Sequence, residues 1–419
     1  MANIASIFAR RILDSRGNPT IETKVALDDD SVGVSSIPSG ASTGSFEALE
    51  LRDTTSKLYG GLDVSQAINN VNQTISQKLI NQNALNQENI DKIMIDLDGT
   101  ENKESLGANA TLSVSEAVCR AAANSRKQPL YQYINLLLGS NIPLSLPTPM
   151  FNIVNGGKHG GMGNLDFQEF MIVPEKNIPY HEALRMGVEI YHNLKTLLKL
   201  RGATTVIGDE GGFAPNFNSN KEVLAILTEA IKNSGYEPGV QAFISLDIAA
   251  THIKKGDTYQ IKDSTTPLNS DLLINFYKDL RQEFPVLSIE DPFSEDDWEN
   301  WTKMVKEVDG SLLVIADDLV ATNQKRFSYC LSQGAATGVI VKPNQIGTIT
   351  ETLEVVRMAK QANVATVVSH RSGETNDSFI ADLAVGVGSL YIKAGAPARG
   401  ERVAKYNRLL EIEEELSKS

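Results

Sequence analysis

The sequence predicts a small α+β domain over residues 1–138, followed by a parallel β/α barrel over residues 139–419. Two observations lead to this prediction. Strand and helix patterns are mixed in the first part, whereas short apolar runs alternate with helical segments in the second. In addition, six of these apolar runs end on an ionisable residue, which is typical of the strand ends of a barrel. A doubly wound sheet also places its sites at strand ends, so it stays the alternative fold.

The N-terminal elements follow from the spacing of apolar residues. The stretch TIETKVAL alternates in polarity, so Ile21, Val25 and Leu27 share one face of a half-buried strand. Apolar residues then recur at helical spacing from Val64 to Leu79, and ATLSVSEAVCRAAANS predicts a further helix. The stretch GSNIPLSLPTP carries three prolines and predicts a linker between the two domains.

Composition and charge argue against several classes of function. The 419-residue chain has a formal net charge of −13, which disfavours a nucleic-acid or anionic-membrane surface. No apolar run approaches the roughly 18–20 residues of a membrane span, and we see no signal-peptide pattern. The two cysteines, Cys119 and Cys330, are too few for a disulfide framework, so we expect a reducing, cytoplasmic compartment.

The barrel prediction depends on where the apolar runs end. The runs VQAFISLD, FPVLSIE, SLLVIAD, TGVIVK, VATVVSH and SLYIK end on Asp247, Glu290, Asp317, Lys342, His370 and Lys393. After the first gap, successive end residues are 27, 25, 28 and 23 residues apart, which leaves room for one βα unit each. One polar residue at a strand end is unremarkable and is more often structural. Six at the same relative position favour a shared site at a barrel mouth.

Three of these residues suggest a metal site. Carboxylates from Asp247, Glu290 and Asp317 would repel one another at a barrel mouth unless a cation lay between them. Oxygen ligands, without cysteine and with few histidines, favour Mg²⁺ over zinc. The alternative is that each acid simply pairs with a surface lysine.

Lys342 is then a candidate general base. Burial and a nearby divalent charge both disfavour the ammonium form, so we expect a lowered pKa for the Lys342 amine. A neutral amine beside metal ions is suited to removing a proton next to a carboxylate, because metal ions stabilise the charge that develops.

Further polar residues lie in loops. VIGDEGGFAP places Glu210 before two glycines, where it is either a turn residue or an acid opposite the lysine base. LDFQEFMIVP places Gln168 and Glu169 near a strand end. In SHRSGET, the guanidinium of Arg371 suits a phosphate group.

Nine stretches of the chain carry a family resemblance. They are DSRGNPTIE, PSGASTG, QEFMI, GDEGGFAPN, SIEDPFSEDDW, ADDL, KPNQIGT, SHRSGET and IKAGAPARGER. With these stretches in the family's order and near its spacing, the chain resembles the enolase family over essentially its whole length. The resemblance implies an N-terminal α+β domain and a modified TIM-type barrel that begins ββαα and continues as (βα)6.

The resemblance also implies roles for individual residues. It implies two Mg²⁺ ions per site, the first bound by Asp247, Glu290 and Asp317, and the second entering with substrate and reaching the loop residue Ser39. Lys342 is implied as the base, and Glu210 as the acid, with Glu169 assisting. The implied substrate contacts are Arg371 and Ser372 for phosphate, Lys393 for carboxylate, and His159, Gln168 and His370.

The activity implied by the resemblance is the reversible dehydration of 2-phospho-D-glycerate to phosphoenolpyruvate. A homo-oligomer is implied as well, either a dimer or an octamer built as a ring of dimers. Two other functions stay open. One is a different acid substrate, as in the acid-sugar dehydratases and racemases built on related barrels. The other is a binding protein that acts at the cell surface or as a scaffold, in place of catalysis or beside it.

Overall fold

The fold was analysed in a computed structural model that describes residues 2–40, 44–139, 142–157 and 165–418. The N-terminal part is a three-stranded antiparallel sheet followed by helices. Its strands are β1 (Ile4–Leu13), β2 (Pro19–Leu27) and β3 (Val32–Ser36). Its helices are a 3₁₀ turn (Leu58–Gly61), α1 (Ser65–Asn69), a π-helical turn (Asn70–Ile75), α2 (Ser76–Leu79), α3 (Gln87–Asp98), α4 (Ala108–Ser125) and α5 (Leu130–Leu138).

The predicted faces of this part are buried as expected. Ile21, Val25 and Leu27 point from β2 into the core, while the intervening charged residues are at least partly exposed. The predicted helical stripe from Val64 to Leu79 runs through α1, the π-helical turn and α2. Helix α4 packs on the sheet so closely that a β-carbon on Gly33 would collide with the backbone of that helix.

The second part is a closed barrel. Its strands are β4 (Thr148–Asn155), β5 (Glu169–Pro174), β6 (Ala242–Asp247), β9 (Val286–Glu290), β10 (Leu313–Ala316), β11 (Gly338–Val341), β12 (Ala365–Ser369) and β13 (Tyr391–Lys393); a small hairpin, β7 (Lys254–Lys255) and β8 (Thr258–Tyr259), lies outside it. The surrounding helices are α6 (Tyr180–Leu200), α7 (Asn220–Asn233), α8 (Ser270–Glu283), α9 (Trp298–Val308), α10 (Gln324–Gln333), α11 (Ile349–Gln361), α12 (Phe379–Gly386) and α13 (Gly400–Ser417). Short 3₁₀ turns occur at Ala250–His252 and Pro343–Gln345.

The strand order confirms the predicted modified barrel. Hydrogen bonds link the strands in the closed order β10-β11-β12-β13-β4-β5-β6-β9. Strand β5 is antiparallel to both β4 and β6, whereas the other described pairs in the barrel are parallel. With β4 and β5 followed by α6 and α7, the barrel begins ββαα and continues as βα units. The alternative doubly wound sheet is wrong, because the sheet closes on itself.

Alternation along the strands places two sets of residues inside the barrel. The first set, which we call the inner layer, is Met150, Met171, Ser245, Ser288, Ile315, Ile340, Val367 and Tyr391, and its six apolar members form one buried cluster. The second set, the mouth layer, lies two residues nearer the carboxyl ends of the parallel strands: Asn152, Glu169, Asp247, Glu290, Asp317, Lys342, Ser369 and Lys393. Each strand, or for Asp317 and Lys342 the position directly after it, therefore contributes one residue to each layer.

Candidate active site

The predicted strand-end residues do meet at the barrel mouth. Asp247, Glu290 and Lys393 are the last residues of their strands. The other three follow their strands directly: Asp317, Lys342 and His370. One cavity at this mouth is lined by many of the predicted site residues, namely Gln168, Glu169, Glu210, Asp247, Asp317, Lys342, His370, Arg371 and Ser372.

Lys342 is paired with an acid. Its Nζ lies 2.5 Å from Oδ2 of Asp317; the acid is buried and the lysine half-buried. Burial lowers the pKa of the Lys342 amine, whereas nearby carboxylates, Asp317 foremost and also Glu290, raise it, and the net shift is upward. The pKa of Asp317 is lowered, because Lys342 outweighs the effect of burial on that carboxyl group. The protein's own groups thus raise this pKa, and the lowered pKa expected for Lys342 beside a divalent cation stays a prediction.

Lys393 bridges two acids on the other side of the mouth. Its Nζ lies 2.9 Å from Glu169 and 2.8 Å from Glu290. Burial raises the pKa of Glu290 to about 7, although Lys393 acts in the opposite direction. Burial, together with the neighbouring Glu290 carboxylate, also raises the pKa of Asp247. Four acids, Glu169, Asp247, Glu290 and Asp317, meet two lysines at this mouth, so the titration of each group depends on its neighbours.

The carboxylates at this mouth fit a divalent cation. Asp247 and Glu290 are partners in neighbouring strands, and the first residue after β10 is Asp317. Among the described residues, two groups have all their ligand atoms within 4.8 Å of one another: Asp291–Asp317–Asp318 and Glu169–Glu210–His370. The ligand set Asp247, Glu290 and Asp317 stays a prediction. Hard carboxylate oxygens dominate both groups, which suits Mg²⁺ or Ca²⁺ better than a thiol-seeking metal.

Glu210 is held in position by an amide. The Nδ2 of Asn152 donates to Oε2 of Glu210 over 2.7 Å, and Nε2 of His370 lies 3.6 Å from the same oxygen. Gly211 adopts a φ of +89°, which a side chain would disfavour, and this turn aims Glu210 at the mouth. Burial, reinforced by the nearby positive charge of Arg402, holds the pKa of His370 well below its usual range.

The predicted phosphate-binding residue Arg371 is buried and anchored. Its Nη1 donates to Glu47 over 2.8 Å and to Asn344 over 2.9 Å, and its Nη2 reaches Glu47 over 3.1 Å. Ser372 is also buried and lines the same cavity. A two-point contact with Glu47 fixes the plane of the guanidinium.

Ser39 is brought to the mouth from the N-terminal part. Its backbone exchanges two hydrogen bonds with Gly373, 2.7 and 2.9 Å long. Its hydroxyl donates to Asp14 over 2.7 Å and accepts from Arg16 over 3.0 Å. The predicted contact residue His159 lies outside the described residues, so its role stays a prediction.

Sequence reasoning missed several residues of this site. Asn152 and Glu47 support Glu210 and Arg371 but lie in unrelated stretches of sequence. Asp291 accepts backbone hydrogen bonds from Asp317 and Asp318, each 3.0 Å long. The second acids in IEDP and ADDL were the available signal for this last group.

A closed β/α barrel whose mouth holds buried acids paired with lysines is typical of barrel enzymes that bind a divalent metal. Two family models divide the chain between them: "Enolase, N-terminal domain" matches residues 4–134, and "Enolase, C-terminal TIM barrel domain" matches residues 143–419. The chain belongs to the enolase family. As a member of this family, the protein is a lyase of the enolase type. Enolases bind a divalent metal and a substrate. Within the part that the structure describes, no helix combines the length and apolar character needed to cross a membrane.

Proposed function

We propose that this enolase-family lyase reversibly dehydrates 2-phospho-D-glycerate to phosphoenolpyruvate. The observation that carries this proposal is that Lys342, Glu210 and Arg371 line one cavity at the barrel mouth. A base, an acid and a phosphate-binding group are the three elements that elimination from a phosphorylated hydroxy acid requires. The motif set quoted above favours this substrate over an acid sugar.

The proposed roles of the proton-transfer residues follow from their surroundings. Lys342 removes the proton from C2, and Glu210 delivers a proton to the hydroxyl that leaves C3. Glu169 assists Glu210, and its ligand atoms lie in the same group as those of Glu210 and His370. The Asn152 amide, which donates to Glu210 over 2.7 Å, keeps that carboxyl group aimed at the reacting atoms.

The remaining residues bind and orient the substrate in this proposal. Arg371 and Ser372 hold the phosphate, and Lys393 holds the carboxylate. Gln168, His370 and His159 complete the contacts. Gln168 is itself oriented, because its Nε2 donates to Asp247 over 3.2 Å. The segment that carries Ser39 covers the mouth and excludes water, which strengthens every charge interaction inside.

We further propose Mg²⁺ as the metal, with two ions per site, the second entering with substrate. Asp247, Glu290 and Asp317 would hold the first ion, and Ser39 would contact the second. When bound there, Mg²⁺ stabilises negative charge on the substrate carboxylate and draws the charge of Asp317 away from the Lys342 amine.

Location and assembly are also proposals. A cytoplasmic location is supported by two buried free thiols, Cys119 and Cys330, which fit a reducing compartment. A homo-oligomer, either dimer or octamer, rests on the family alone, and a mass measurement in solution distinguishes the two. A secondary binding role at the cell surface or as a scaffold rests on the same family resemblance.

The experiment is an assay of the purified protein with 2-phospho-D-glycerate and Mg²⁺. We expect the ultraviolet absorbance of the enol product to rise, and a chelator to stop the rise until Mg²⁺ is restored. A parallel panel of acid sugars tests the alternative substrate class. The proposal is wrong if the metal-loaded protein turns over an acid sugar but not the phosphorylated acid, or turns over neither.

A further inference from the structure

Arg402 is a fully buried arginine in the first turn of α13, and the roles proposed above leave it unused. It belongs to the stretch IKAGAPARGER, in which only Lys393 was given a function. Burying a guanidinium costs free energy unless acceptors replace the lost water. The acceptors of its hydrogen bonds lie in two loops. One loop carries the proposed acid Glu210, and the other carries the proposed phosphate-binding residues Arg371 and Ser372.

The four terminal hydrogens of Arg402 meet four acceptors. Its Nη1 lies 2.6 Å from Nδ1 of His370 and 2.7 Å from the backbone oxygen of Arg371. Its Nη2 lies 3.0 Å from the backbone oxygen of Asp209 and 2.5 Å from that of Ser372. Each Nη carries two hydrogens, so this set uses all of them.

The contact with His370 fixes where the imidazole proton lies. A guanidinium can only donate, so Nδ1 of His370 must accept, and the ring proton of the neutral imidazole then resides on Nε2. That nitrogen lies 3.6 Å from Oε2 of Glu210. The N–H of His370 is thereby presented to the carboxyl group that exchanges a proton with the substrate.

The backbone contacts tie two loops to one side chain. One loop carries Arg371 and Ser372, and the other places Asp209 directly before Glu210. The backbone oxygen of Glu210 also accepts from the amide of Ala396 over 2.9 Å. Gly395 permits this approach, since a β-carbon there would lie 2.6 Å from the Glu210 oxygen and 2.8 Å from Cδ of Arg402.

We propose that Arg402 is a positioning residue that holds His370 with its proton on Nε2 and sets the distance between the acid loop and the phosphate-binding loop. The catalytic part of this inference rests on the proposed dehydration, because Glu210 is the acid in that reaction. Once Glu210 has given up its proton, its carboxylate has the Asn152 amide and the His370 N–H within reach. Arg402 therefore favours the step in which Glu210 protonates the C3 hydroxyl and water leaves.

The first test reads the tautomer directly. Proton–nitrogen correlation spectra of protein labelled with heavy nitrogen in histidine report which ring nitrogen carries the proton, and the chain has five histidines. A His370→Gln variant assigns the His370 signals. We expect the wild type to show a protonated Nε2 and a bare Nδ1 at neutral pH. A protonated Nδ1 would overturn the proposal, and this measurement needs no Arg402 variant to fold.

The second test compares two arginines of the same helix. Arg402→Lys keeps the charge but offers fewer donors in a different geometry, whereas Arg408→Lys alters an arginine whose partners are Asp382, Glu411 and Glu415. We expect Arg402→Lys to shift the tautomer signals of His370 and to slow dehydration by about 10²-fold, because small misplacements have costs of that order. Exchange of the C2 proton should fall much less. Arg408→Lys should leave both readouts near wild type.

The outcomes separate the two proposals. A wild-type protein with the Nε2–H tautomer but no dehydration of 2-phospho-D-glycerate would reject the proposed function and keep the structural role of Arg402. A wild-type protein that dehydrates the substrate, with Arg402→Lys changing neither the tautomer nor the rate, would reject the positioning role alone. Equal loss of exchange and dehydration in Arg402→Lys would also reject it, because the effect would then not be specific to the acid step.

Discussion

The inner layer and the mouth layer of the barrel lie on the same eight strands, two residues apart, and have opposite character. The inner layer is apolar except for Ser245 and Ser288, which hydrogen-bond to each other. The mouth layer is polar at every strand and contains four acids and two lysines, which are buried apart from the half-buried Lys342. A distance of two residues along each strand thus separates side chains that favour burial from side chains whose burial is costly.

The difference shows how this fold divides stability from chemistry. Burial of an apolar side chain in the inner layer contributes roughly 1.5–3 kcal/mol to folding. Charges in the mouth layer are costly to bury and are tolerated because acids and lysines compensate each other. The Lys342–Asp317 and Lys393–Glu290 contacts are examples of this compensation. Substitutions in the two layers should therefore affect different measurements.

The largest expected effect comes from Lys342→Ala in the mouth layer. Without the amine, exchange of the C2 proton with solvent should fall by about 10²–10⁴-fold, since no general base remains. Mass spectrometry of substrate incubated in heavy water measures this exchange. The metal content and circular dichroism of the variant serve as controls. Exchange at the wild-type rate would mean that another group takes the proton.

Glu210→Gln should separate the two proton transfers. The variant should keep C2 exchange near the wild-type rate and lose dehydration by about 10²-fold or more, because Gln cannot supply the proton to the leaving hydroxyl. Exchange and product absorbance are measured on the same sample. If a folded, metal-competent variant lost both equally, the assignment of separate acid and base would fail.

Ile340→Ala tests the inner layer, two residues before Lys342. It should lower the free energy of unfolding by about 2–5 kcal/mol, whereas the matched Ile340→Val should cost about 0.5–1.5 kcal/mol. Urea unfolding measures both changes. Activity per folded molecule should change far less than in Lys342→Ala. A collapse of activity with unchanged stability would contradict the division between layers.

A smaller effect than that of Ile340→Ala is expected at the serine pair of the inner layer. Either Ser245→Ala or Ser288→Ala leaves one buried hydroxyl without its present partner and should cost about 1–3 kcal/mol in the free energy of unfolding. The double variant should be closer to wild type than the sum of the singles, because both polar groups are removed together. Additive losses would show that the two hydroxyls act independently.

Much of this architecture could be predicted from sequence, because strand ends are local features. The six ionisable strand ends and the ββαα start of the barrel were predicted, as was the meeting of Glu210 with Lys342 at one cavity. The features that the sequence did not indicate involve partners distant in the chain. Nothing near Lys342 in sequence indicates that Asp317 raises its pKa.

Supporting residues were missed for the same reason. Asn152, Glu47 and Arg402 contact site residues between 32 and 324 positions away in sequence. A single sequence records no such pairing, because the contact depends on the closed barrel and on the approach of the N-terminal part. Local patterns fix which strand end is polar, but only the assembled fold fixes which polar groups face each other.

The reversed strand β5 has a consequence for how this barrel can diversify. Strand β5 is antiparallel to its two neighbours, so its residue in the mouth layer, Glu169, is also its first residue. Strand β4 therefore ends, and β5 begins, at the mouth of the barrel. At the start of the second stem of this β4–β5 hairpin, Gln168 and Glu169 line the cavity. Insertions in the hairpin would change which molecules the mouth admits while the strand register, held by the rest of the ring, stays as it is. Selectivity can thus evolve there at little cost to folding.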